Sequence, residues 1–340
     1  MLLTVFGAGA SHDSVPELSV NRSPKWRPPL ASELFDERFA GMLSSFKRCE
    51  PIAPVLATPG ASIEQLLQEY MDEAPHYPER YRQLMAVRYY LQYMIWECET
   101  QWELETRGTS CYATLLDQMN RWTPQDDPIQ LVTFNYDRLL ESALKAFGLM
   151  VSSFAEYTSH ERFHIAKLHG SVDWGRELDL PIDEAHPPEQ WGIVEKLIAD
   201  APELRMTQRY VMVDHRPAFR SKSALAVPAI AIPTESGKTF ECPKEQTDQL
   251  LECIPRVTRV LLVGWRAADR ALLDLLARLQ SSPLHILIVA GGYSQASEVI
   301  ERISGAGVKA QCVAYDGGFS RFVMARAGDS FFRAEGGNLL

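Results

Sequence analysis

The chain has 340 residues, of which 46% are hydrophobic and 23% charged, with a formal net charge of −10. This is ample material for a buried core, and the acidic balance argues against broad nucleic-acid contact, which needs a concentrated basic face. No secretory signal is legible at the N-terminus and no apolar stretch approaches bilayer length, so the expectation is a cytoplasmic protein with no membrane partner.

Short apolar runs closed by turn signals predict strands at 2–6, 129–134, 164–168, 259–263, 284–290 and 309–314. After the first run, Pro28-Pro29-Leu30 leads to Ser32, a cap for a predicted helix over 33–46 with an apolar stripe of Phe35, Phe39, Met42 and Leu43. Ser62-x-x-Gln65 has the capping-box pattern and opens a helix over 63–71. Longer helices are predicted over 79–105 and 110–122. Tyr89, Tyr90, Tyr93, Met94, Trp96 and Trp102 recur in the first of these, as a core or helix-packing face or as an oligomer surface. Asp137 is placed to cap a helix over 138–147 that Gly148 stops; further helices are predicted over 268–280 and 295–304.

Strand–helix alternation of this kind implies an α/β fold: a Rossmann-like, doubly wound parallel sheet with a large helical insertion. One domain is expected over 1–326, with its sheet core from 1–31, 123–175 and 256–318, the helical insertion over 32–122, a variable insertion over 176–255, and a tail over 327–340. The segment 176–257 is punctuated by nine prolines and yields only two candidate strands, 209–213 and 225–232.

Three segments carry chemistry. Gly7-Ala8-Gly9-Ala10-Ser11 is a glycine turn leaving the first strand. Such a turn brings backbone N–H groups to a pyrophosphate at a helix N-terminus, although without a full Gly-x-Gly-x-x-Gly it also reads as a plain strand–loop corner. Thr133-Phe134-Asn135-Tyr136-Asp137 and Lys167-Leu168-His169-Gly170-Ser171 set an Asn and a His just past strand ends, where open α/β sheets bind ligands. Each has a plainer alternative: Asn135 as a turn residue, Asp137 as a helix cap, His169 as a satisfied His before a turn glycine, and Ser11 as an N-cap. Arg266 would pair with a phosphate or sit in a surface salt bridge, and Trp174 would wall a pocket or pack in the core. His12 and Asp13 are expected on a solvated loop. Six scattered cysteines include no C-x-x-C pair, so no ribbon-type zinc site is expected and reduced thiols are.

At these motifs the chain resembles the sirtuin-like NAD-consuming family, in its zinc-free bacterial branch associated with antiphage defence. The resemblance implies cofactor contacts from Gly7, Ala8, Gly9, Ser11, Asp137 and Gly170, and catalytic roles for Asn135 and His169. Val263-Gly264-Trp265, with Asp269 following, is similar to the family's last ribose-side loop, which adds Gly264 and Arg266; the family has Ser where this chain has Arg266. Val15-Pro16-Glu17-Leu18 also departs from the Pro-Asp-Phe-Arg of protein-deacylating sirtuins.

NAD enters as substrate, with no metal. Nicotinamide is already a cationic leaving group, so cleavage builds an oxocarbenium-like ribosyl cation and asks the site to fix the ribose and admit one nucleophile. A neutral Asn amide suits the ribose hydroxyls, and a His suits the proton. The implied activity is an NAD(+) glycohydrolase that depletes NAD as an effector of defence. With no recognisable sensor domain, its trigger would be self-assembly into a homo-oligomer or a separate sensor protein. The alternative is a non-catalytic module binding NAD or an ADP-ribose-type nucleotide; protein deacylation is disfavoured by the missing zinc module.

Overall fold

The computed structural model describes residues 1–16, 25–56, 62–179, 190–213, 225–234, 240–279 and 284–333. Glu17, Leu18, Pro181, Pro187, Pro188, Pro217, Gln280 and the tail residues 334–340 lie outside the described residues. Nine strands occur among those described: β1 (Leu2–Phe6), β2 (Ile129–Thr133), β3 (Phe163–Lys167), β4 (Gly170–Leu178), β5 (Met206–Met212), β6 (Ala226–Ile230), β7 (Arg259–Val263), β8 (Leu284–Val289) and β9 (Ala310–Tyr315).

Six of them form one sheet in the order β3-β2-β1-β7-β8-β9, and all five pairings are parallel. This is the doubly wound Rossmann-like arrangement. The chain runs outward from β1 to β3, then resumes on the other side of β1 with β7, so the strand order reverses between β1 and β7. Every residue of β1, β2 and β7 is buried. Because successive side chains point to opposite faces, that pattern requires cover on both sides of the sheet. The register is uniform: Phe6 is level with Thr133 and Val263, and Thr133 with Lys167. The strands therefore deliver their C-terminal loops from a single rung.

A second, antiparallel sheet of order β5-β4-β6 adjoins the first. Its central strand, β4, follows β3 directly through His169 and was not foreseen. Gly170 makes that reversal with φ +84°, and a Cβ there would stand 1.9 Å from the Ala229 carbonyl oxygen. Only glycine meets both conditions.

The helical insertion and the variable insertion, read as separate in the sequence, share one hydrophobic core. Phe35, Phe39, Phe46, Tyr89, Tyr90 and Met94 pack in the same cluster as Val172, Leu197 and Ile230. Pro78–Thr106 is a single helix of 29 residues, and its Tyr89, Tyr90, Met94 and Trp102 are almost fully buried. These residues of the aromatic stripe are therefore core, while Tyr93 is half-buried.

The predicted helix over 33–46 is broken into short turns: Ala31–Glu33, Glu37–Phe39 and Ala40–Leu43. Asp36 is extended (ψ 153°), and i→i−3 bonds such as Phe39 N to Asp36 O replace the α-helical ladder. The buried Leu34, Phe35, Phe39 and Leu43 reach the core from single turns as well as from a helix. Ser32 does not cap; the Glu33 carboxylate accepts from Leu30 N instead (3.0 Å). Ser62 does cap Ile63–Glu73, accepting from Gln65 N at 3.2 Å. Residues 329–333, left in the tail by the sequence, form a helix whose Phe331 and Phe332 are buried in the main core. Arg259 ties it down by donating to both of their carbonyls at 2.7 Å.

Gly170→Ala is expected to cost about 3 kcal/mol or more, since backbone strain and a clash with the Ala229 carbonyl add. Gly108 also has a positive φ (+77°) but open space around it, so Gly108→Ala should cost only about 1 kcal/mol. Urea-unfolding midpoints of the two variants separate close approach from conformation alone.

Candidate active site

The four motifs meet at one edge of the large sheet. Gly7, Phe134, Leu168 and Gly264 continue the parallel ladder beyond β1, β2, β3 and β7, through Gly7 N to Val263 O, Phe134 N to Phe6 O, Leu168 N to Thr133 O and Gly264 N to Val289 O. Asn135 and His169 each stand one residue further on.

The glycine turn is stitched to the β7 loop rather than left open. Gly9 N donates to Gly264 O (3.1 Å), and Ala10 N to Gly7 O (2.9 Å). A Cβ on Gly7 would lie 2.6 Å from the Gly264 carbonyl oxygen and one on Gly9 2.9 Å from the Gly264 Cα; Gly264 itself has φ +58°, and a Cβ on it would stand 2.3 Å from Ala10 N. These glycines are explained by backbone meeting backbone. The amides of Gly7, Gly9 and Ala10 are committed within the protein, which corrects the expectation that Gly7 and Gly9 offer theirs to a pyrophosphate. Ala8 opens a helix of only five residues, Ala8–His12. Gly170, too, is accounted for by its chain reversal.

Asn135 is the centre of the site's polar network. Its Nδ2 lies within hydrogen-bond distance of Gly7 O (3.0 Å), Ser11 Oγ (2.9 Å) and the Tyr112 hydroxyl (3.1 Å), and its backbone N donates to Thr133 Oγ1. Ser11 and Tyr112 are themselves 2.9 Å apart. Ser11 is thus buried in this network, not exposed as a helix cap. Tyr112 comes from the helix Cys111–Trp122 of the insertion, and nothing in its sequence context marked it. The Asn135 side chain is only 6% exposed, yet its Oδ1 has no donor among the described residues. A buried acceptor without a donor costs on the order of 1–3 kcal/mol.

Asp137 lies just beneath. Its Oδ1 accepts from Leu139 N (3.1 Å), holding the start of the helix Leu139–Leu144. Burial raises its carboxyl above the usual range, opposed by the Lys167 ammonium and by a hydrogen bond from Ser11. Lys167 is completely buried and pairs with Glu141 at 2.9 Å, and Glu141 also accepts from the Tyr157 hydroxyl (3.1 Å).

His169 borders the same edge. Phe134 meets its ring edge-on at 4.7 Å, Tyr136 lies parallel to it at 6.4 Å, and Trp265 stacks flat on Phe134. Its Nε2 is 3.3 Å from Asp269 Oδ2. Arg266 is exposed, and its carbonyl accepts from Arg302. Trp174 is fully buried in the core against Phe154 and Tyr157. His12 and Asp13 are not solvated loop residues: His12 Nδ1 is 3.0 Å from Pro28 O, and Asp13 accepts from Ser320 N (2.9 Å). All six cysteines are free thiols. Among the described residues no group of three or more His, Cys, Asp or Glu is placed to hold a metal ion, and no helix is long and apolar enough to cross a membrane.

Residues 130–222 match the family model described as a SIR2-like domain. That span holds the Asn135 and His169 motifs. No curated protein matches the chain. Among solved structures, it aligns with a Sir2 variant holding a deacetylated p53 peptide and 3′-O-acetyl ADP-ribose (TM-score 0.42, 12% identity, 98% of this chain and 94% of that one). It also aligns with a Sir2 homologue–NAD complex (TM-score 0.37, 13% identity, 96% and 90%), and with Sir2Tm bound to a propionylated peptide (TM-score 0.40, 14% identity, 98% and 94%).

Lys167→Met should destabilise the fold by about 3–5 kcal/mol, because it strands Glu141 as a buried, unpaired carboxylate. The double variant Lys167→Met/Glu141→Gln should recover most of that loss. Chemical denaturation of the single and double variants checks both statements.

Proposed function

We propose that the chain is an NAD(+) glycohydrolase that cleaves NAD to nicotinamide and ADP-ribose at the edge built by Asn135 and His169. The observation that carries the reading is the Asn135 carboxamide, buried beside the strand-order reversal with its Nδ2 anchored and its Oδ1 lacking a donor among the described residues. A ribose hydroxyl of NAD supplies the missing donor, so the residues present fit the substrate. The match of residues 130–222 to a SIR2-like domain supports the same ligand class.

In this reading Asn135 fixes the ribose, and His169, a quarter exposed beside it, takes the proton from the attacking water. The pyridinium leaves without needing an acid, so the demand on the protein is to orient the ribose and the nucleophile and to limit the water admitted. Ser11 and Tyr112 hold the Asn135 amide, while Gly7, Gly9 and Gly264 bring the β1 and β7 loops close enough to place Ser11. Ala8, Asp137, Gly170 and Arg266 complete the proposed cofactor surroundings, with Asp137 and Gly170 acting through the backbone they hold. The resemblance at the motifs carries the biological setting: an NAD-depleting effector of bacterial antiphage defence, cytoplasmic, switched on by a partner protein or by assembly.

Purified protein, alone and with the product of its neighbouring gene, is expected to release nicotinamide from NAD. Asn135→Ala and His169→Ala should each lower the rate by roughly 10²–10⁴-fold with little change in thermal melting, while the exposed His76→Ala keeps full activity. NAD that binds but is never cleaved, in any combination, would mark the site as a nucleotide-binding module instead.

A further inference from the structure

Asp269 follows the Val263-Gly264-Trp265 loop at this edge. It is the N-cap of the helix Arg270–Ala277, where its Oδ1 accepts from Leu272 N at 2.8 Å. Its second oxygen is free of that duty and stands 3.3 Å from His169 Nε2, with the Asp269 side chain only 5% exposed. One carboxylate thus joins a helix start to the His ring. The ring is held from its other sides as well, by the edge contact with Phe134 and by Tyr136.

We propose that Asp269 is a positioning residue for His169, fixing the imidazole tautomer with the proton on Nε2 and leaving the Nδ1 lone pair as the base. An ionised carboxylate is an acceptor only, so the nitrogen facing it must carry the hydrogen. With Nε2 engaged, Nδ1 is the nitrogen left to act. This rests on the glycohydrolase reading for its chemical consequence. A water oxygen bonds to the ribose C1′ while the C1′–N bond to nicotinamide breaks, its electron pair going to the leaving nitrogen. One water proton passes to Nδ1 and from there to solvent. Asp269 moves no proton. It holds the ring through the cycle and compensates the charge of the transient imidazolium, the role a buried carboxylate plays behind a catalytic His.

Asp269→Asn separates this role from helix capping, because Asn caps as well as Asp while its amide N–H₂ would face Nε2 as a donor and drive the proton to Nδ1. In the free protein, ¹⁵N NMR of labelled histidines should show His169 as the Nε2-protonated tautomer in the parent and as the Nδ1-protonated tautomer in Asp269→Asn. His169→Gln assigns the signal. Thermal melting should stay close to the parent's, and kcat for NAD cleavage should fall by roughly 10²-fold or more with KM little changed. Either a tautomer unaltered by Asp269→Asn, or NAD cleavage within about twofold of the parent, overturns the proposal. A parent protein that does not cleave NAD at all would defeat the glycohydrolase reading, and the tautomer measurement would still decide whether Asp269 sets the His169 ring.

Discussion

The close backbone contact between the β1 turn and the β7 loop is the constraint on which the rest of this edge depends. Gly7 and Gly9 abut Gly264 at distances that leave no room for a Cβ on any of the three. The contact falls where the strand order reverses, the place at which an open α/β sheet would otherwise splay its loops apart. Drawing the loops together has two consequences. It brings Ser11 under the Asn135 amide, and it sets the loop leading to Asp269 so that the carboxylate reaches His169. Neither contact involves residues near each other in sequence: 124 positions separate Ser11 from Asn135 and 100 separate His169 from Asp269.

Beneath that edge lie several buried or half-buried charged groups. Lys167 and Glu141 pair directly, and Arg138 bonds Glu99 through both its guanidinium and its backbone N. Asp173, whose carboxyl burial raises, accepts from Ser171 at 2.6 Å. Buried ion pairs of this kind contribute little net stability compared with apolar packing. Their effect here is geometric, because they fix the short segments after β2 and β3 that carry Asn135 and His169. The insertion contributes as well, through Glu99 and Tyr112, so the helical lobe is part of the site's support.

The two inserts illustrate how a core can be assembled from pieces that are unreadable alone. The segment after β4 offers scattered prolines and weak periodicity, yet Ile193, Val194, Leu197 and Val227 are buried against the long helix Pro78–Thr106. The buried strand β6 has only five residues, one of them Pro228. An edge strand in this sheet tolerates a proline because one of its sides needs no ladder donor.

The sequence by itself determined the large sheet. Its strands are short apolar runs with turn residues at both ends, and the predicted runs 2–6 and 259–263 coincide with β1 and β7. Complete burial of a parallel strand leaves that signature whatever surrounds it. It also determined the Ser62 cap and the long insertion helix, since caps and helical periodicity act over a few residues. The motif glycines, Asn135 and His169 were legible as a set, because strand-end position follows once the strands are known. Only the tertiary structure decided what those residues touch. That Gly7 and Gly9 serve loop packing, that Tyr112 joins the Asn135 network, that β4 follows His169, and that most of the aromatic stripe is core all depend on partners far away in the chain. So does the His169–Asp269 pair. A local pattern carries the period of a strand or helix, but it holds no record of which distant surface that element will meet.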